Sequence, residues 1–185
     1  MRTVSTALLL LICVACTSTP GTAPREYLDE QTAATITVVA DPWIFSRERT
    51  NETADQRDFL NVYAIDVNRM GDHKQYFAVL QSLPLVDSQG RELPAPTLQL
   101  RTSADVLSLE PTPEEPRKLG LARPVAESYS LTSKWWYFPV DRQTLASVAT
   151  SGDVQATLVV GETQTPYVLW RDGRAEVEEL TSVLP

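Results

Sequence analysis

From Thr35 onward the chain keeps returning to a period of two. "TITVVA" sets Ile36, Val38 and Ala40 against Thr35 and Thr37. "FLNVYAIDV" sets Leu60, Val62, Ala64 and Asp66 against Asn61, Tyr63, Ile65 and Val67. Successive side chains of a strand point to opposite faces, so this alternation demands half-buried β-strands. In the second stretch the Asn61–Val67 set, with Tyr63, Ile65 and Val67, is the expected core face. Asp41-Pro42 breaks the first strand, and "WIFS" is expected to resume it past a bulge. Gly71 and Asp72 suit a turn, so residues 59 to 82 read as a hairpin with a longer loop at "NRMGDHK".

Further short strands are expected in "TLQLRT", "DVLSLE", "ESYSLTSKWWYFPV", "DVQATLVV" and "PYVLW". "RAEVEEL" is expected to return as an edge strand whose charges discourage pairing. "EPTPEEPRK" holds three prolines among acids and is expected to be an exposed, extended loop. One helix is expected, at 141–149. Asp141 suits its N-cap, Leu145, Val148 and Ala149 share a face, and Gly152 stops it. About seven to nine strands, with turn signals near every ten residues, predict an all-β, antiparallel β-sandwich that is immunoglobulin-like in the broad sense. The apolar fraction of 43% is enough for one packed core. Residues 27–185 therefore read as a single β-sandwich domain.

The N-terminus follows a different rule. Arg2 precedes an almost wholly apolar run from Ala7 to Ala15. That run is about half the ~20 residues needed to span a bilayer, so residues 1–15 read as a signal peptide. It ends in Cys13-Val14-Ala15-Cys16. These residues resemble the type II signal peptide of bacterial lipoproteins, with Cys13 standing where that family usually carries Leu. The resemblance covers residues 1–16. It implies cleavage after Ala15, a diacylglyceryl group on the sulfur of Cys16, and a further acyl chain such as palmitate on its amino group. Several chains hold a protein at a membrane where one holds it only marginally. Thr17 in place of Asp implies the outer membrane, facing the periplasm. Residues 16–26, rich in Thr, Pro and Gly, then read as the lipidated cysteine and a flexible tether of roughly 17 Å mean span.

Several chemistries lack their residues. The net charge is −8 and no Lys/Arg cluster stands out, which argues against nucleic acid. His73 is the sole histidine, and no Gly-x-Ser-x-Gly elbow accompanies it. The glycines form no phosphate or dinucleotide loop. No cofactor, metal site or catalytic set is expected. The best polar constellation is Asp66, Asn68, Asp72 and His73, at a strand end and its turn. It could serve as an acid–base or hard-cation site, and ordinary turn chemistry explains it equally. The mixed charges of "SRERTNETADQRD" read as a solvated loop. The run Trp135-Trp136-Tyr137-Phe138 is the main binding candidate. In a strand, Trp135 and Tyr137 share one face and Trp136 and Phe138 the other. One pair belongs to the core, and the other forms an exposed platform unless the helix covers it.

The expected function is a membrane-anchored envelope lipoprotein acting as a non-enzymatic binding or assembly module. Its partners would be the membrane, through the lipid, and an envelope protein or cell-wall polymer. One alternative is a cell-wall glycan-binding module using an exposed aromatic pair. Another is a carboxylate-based hydrolase.

Overall fold

The computed structural model describes residues 23–49, 57–82, 94–128 and 133–185. Cys16 and the signal peptide lie outside the described residues, as does the turn at 87–90. Ten strands and three helices follow one another: β1 (Arg25–Asp29), β2 (Ala34–Val38), β3 (Trp43–Glu48), β4 (Arg57–Arg69), β5 (Asp72–Gln81), β6 (Thr97–Arg101), β7 (Val106–Leu109), α1 (Pro116–Leu119), β8 (Lys134–Val140), α2 (Arg142–Ala149), β9 (Gln155–Val160), β10 (Thr163–Arg171) and α3 (Arg174–Val183). Every pairing between strands is antiparallel.

β4 is the axis. One edge pairs along its length with β5, which in turn pairs with β8. The other edge is shared, with β3 along its first half and β2 along its second. Val38 stands opposite Ile65 and Trp43 opposite Val62, so residues 39–42 face only residues 63–64. This is the bulge that Asp41-Pro42 implied; the Val39 amide still reaches the Ala64 carbonyl at 3.1 Å. The bulge lets the sheet fork. β1 adds outside β2, and β10 adds outside β3. β10 then leaves this sheet: residues 168–171 pair with β3, while 163–167 pair with β9, followed by β6 and β7. The result is a sandwich-like all-β fold, which is what holds of the expectation at its coarser level.

The turn between β4 and β5 is tighter than expected. Arg69 pairs with Asp72, leaving only Met70 and Gly71 between the strands. Both have positive φ, 55° and 90°, as a two-residue hairpin turn requires. Asn68 Oδ1 accepts from the Gly71 amide at 2.8 Å and supports it.

Both faces of β4 are buried, which corrects the expected core face. Leu60, Val62 and Ala64 are fully buried, and Tyr63, Ile65 and Val67 on the opposite side are buried too. A central strand covered on both faces loses its polar alternation. On the Tyr63 side, Gly120 closes on the sheet with φ 101°, and a Cβ there would meet Val67 Cγ1 at 2.8 Å. Only glycine fits that approach.

Three further expectations change. Arg25 and Glu26 belong to β1, so the tether ends before them. The Pro-rich loop ends at Glu115, and Pro116 opens α1, its fixed φ suiting a first helical position. "RAEVEEL" lies in α3 rather than in an edge strand, because Val177, Leu180 and Thr181 are buried at helical spacing. α2 forms as expected, with the Thr144 amide donating to Asp141 at 2.7 Å. Arg142 joins the two helices by donating to the carbonyls of Thr181 and Pro185.

Asp29 ties β1 to the loop after α1. Its carboxylate is buried and accepts from the amides of Gln31, Thr32 and Ala122. Burial opposes its charge, but these amide bonds hold the carboxyl below its ordinary range. A depressed folded pKa contributes stability above the unfolded value near 4, and this is lost as pH falls through the folded one. Asp29→Asn should cost about 2 kcal/mol in urea unfolding at neutral pH. The gap to wild type should narrow below about pH 4; a gap that stays constant through acid would contradict this account.

Candidate functional site

The aromatic run lies in β8, and its register decides which neighbours each ring meets. Trp135 and Tyr137 share the face that carries Tyr63, and Trp136 and Phe138 the face that carries Phe77 and Val79. Neither pair stands out as a platform. Phe138 and Tyr137 are buried, and both tryptophans pack against the core. The Trp135 ring lies 5.6 Å from Tyr63 and stacks on Tyr137 at 6.3 Å. Its indole nitrogen is buried without a hydrogen-bond partner among the described residues, so it offers no polar handle to a ligand. Burial raises the Tyr137 phenol well above its ordinary pKa. Trp136 donates to Gln81 at 3.0 Å and lies under Lys134. Tyr137 and Phe138 are buried and both tryptophans are half-buried against the core, so the run presents no fully exposed ring pair.

The polar constellation divides in two. Asp66 is buried; His73 Nδ1 lies 2.8 Å from one carboxylate oxygen, and Gln75 donates to the other at 2.6 Å. Asn68 supports the turn, and exposed Asp72 sits 3.7 Å from Lys74. Held with its Nδ1–H on Asp66, His73 would keep Nε2 as an acceptor, the orienting half of an acid–base pair. Among the described residues no group of three or more His, Cys, Asp or Glu could hold a metal ion.

The charge run, expected as a solvated loop, brings two arginines onto a buried carboxylate at its described ends. Asp58 is almost fully buried and lies between Arg47 at 2.7 Å and Arg49 at 2.6 Å. Residues 50–56 between them lie outside the described residues. Arg47 also lies over the ring of Tyr167, whose phenol is pushed up to about 12 by burial. This cluster pins β3, β4 and β10 together from below.

On the other side of the same strands lies the surface that the sequence reading missed. The pairing of β10 with β3 slips between Leu169 and Arg171, leaving Trp170 as the extra residue. Trp170 is 60% exposed and Val168 65%. The indole meets Phe59 edge-on at 6.4 Å, and the Arg57 guanidinium lies over it at 4.6 Å. Arg57 pairs with Glu48 at 3.0 Å, and Arg171 with Asp41 at 3.2 Å. "PYVLW" carried the signal: with Tyr167 and Leu169 inward, Val168 and Trp170 must point out.

No known protein family, curated protein or solved structure matches the chain.

The division of the polar constellation can be measured. Asp66→Ala strands two donors and should lower stability by about 2–3 kcal/mol in urea unfolding. Asp72→Ala should change it by less than about 0.5 kcal/mol. Equal effects would mean that the four residues act as one unit.

Proposed function

We propose that this chain is a lipid-anchored envelope protein that works by binding rather than by catalysis, with its contact surface on β3, β4 and β10 around Trp170. The lipid anchor rests on the resemblance of residues 1–16 to lipoprotein signals. The binding surface rests on one observation, an exposed indole held by Phe59 and Arg57 on a braced sheet. Tryptophan and arginine are the residue types that most often dominate binding energy. Fixing the ring before contact reduces the entropy lost on association.

Crosslinking in envelope fractions tests the surface. Trp170→Ala should lose the crosslinked partner seen with the native chain, while Trp136→Ala, which alters a packed ring, should keep it wherever the protein folds. Capture that is unchanged in Trp170→Ala would remove this surface from the function. Intact-mass measurement tests the anchor. The native chain should carry acyl groups on Cys16, and Cys16→Ser should carry none and leave the membrane fraction; a native chain without acyl groups would refute the anchor.

A further inference from the structure

Trp170 lies between two ion pairs. Arg57–Glu48 and Arg171–Asp41 flank it, with Arg57, Glu48 and Arg171 at register positions on the face that carries Phe59. Among the described residues, the two ion pairs at this patch set two arginines against two carboxylates, on a chain of net charge −8. A highly charged partner finds no field of opposite sign there. An apolar protein anchor finds Val168 and Phe59 beside the indole but charged, hydrated groups around them, so the dry surround is narrow. An uncharged polyhydroxylated ligand fits both features. The C–H face of a pyranose packs on an aromatic ring, and its equatorial hydroxyls reach outward to donors and acceptors at the ring's edge. Arg57 lies over the indole, and the ring remains 60% exposed.

We infer that the Trp170 patch is a subsite for a neutral glycan chain, with the indole face not covered by Arg57 stacking on one sugar ring and Glu48, Asp41 and Arg171 taking its hydroxyls. This rests on the binding reading above and names the ligand class for the same surface. An exposed sheet face suits a passing strand of polymer better than a single enclosed sugar. The underside cluster of Arg47, Arg49 and Asp58 keeps the strands in register, so binding requires little reordering.

The experiment titrates the full-length chain in neutral detergent with β-1,4-linked tetramers of glucose and of N-acetylglucosamine, following tryptophan fluorescence and, separately, calorimetric heat. At least one tetramer should bind saturably, with an affinity unchanged between low and high salt because the ligand carries no charge. Trp170→Ala should weaken binding by about tenfold or more, and Trp170→Tyr should restore part of it. Both variants should melt near the wild type, since the side chain is largely exposed. Tyr27→Ala should bind like wild type; this ring lies in a separate groove beside Arg123 and Val125. Three results would overturn the inference: no saturable binding of either tetramer, binding indifferent to Trp170, or binding lost in Tyr27→Ala instead. If both sugars fail while crosslinking still finds a Trp170-dependent protein partner, the binding surface stands and the glycan assignment falls. If crosslinking and sugars both ignore Trp170, both readings fall.

Discussion

One strand has to satisfy three neighbours. β4 pairs with β5 along one edge and divides the other between β2 and β3, while both of its faces are sealed. Its buried amides and carbonyls have no recourse to water, so each must find a strand partner. The four residues 39–42 make this possible. They absorb a mismatch against two residues of β4 and let the outer strands diverge. β1 follows β2 to one side, and β10 follows β3 to the other before turning into the second layer. β10 thus carries the ladder from the first group of strands to β9, β6 and β7.

Buried carboxylates hold the places where the sheet could open. Asp29 gathers amides from its own turn and from the loop after α1. Asp58 sits between two arginines under β3, β4 and β10. Asp66 takes His73 and Gln75 at the far end of the β4–β5 hairpin. A buried charge is tolerable only when its lone pairs are filled, and each of the three has at least two donors. The outcome is a rigid sheet end beneath Trp170. A surface ring on a braced strand needs little ordering when a partner arrives, which links the buried cluster to the proposed role.

The strands at 34–38, 59–82, 97–101, 106–109 and 155–160 were legible because β-branched and aromatic residues alternate there. The α2 helix was legible from Asp141 and its apolar spacing. α3 was not, because seven residues of "RAEVEEL" contain too few apolar positions to separate a period of two from one of 3.6. The aromatic run at 135–138 drew attention by its density, but density measures how much a strand must bury rather than what it displays. Trp170 is a single tryptophan at the end of an ordinary strand. Alternation along "PYVLW" turns it to the face of Val168, and whether that face is covered depends on β3 and β4, more than a hundred residues earlier in the chain. Asp66, Asn68 and His73 do share one face of the β4–β5 hairpin, but Asn68 turns its oxygen to the Gly71 amide and Asp72 lies exposed beside Lys74.

By itself the sequence determined the class of fold, the position of most strands, the capped helix at 142–149 and a signal-like N-terminus. These depend on side-chain periodicity, capping and apolar run length, all of which act over a few residues. Only the tertiary structure decided which faces are buried, how the sheet forks, where the charge run goes and which tryptophan meets solvent. Those outcomes depend on which distant strand lies alongside, and burial of a side chain is set by what covers it, a property that no local stretch of chain contains.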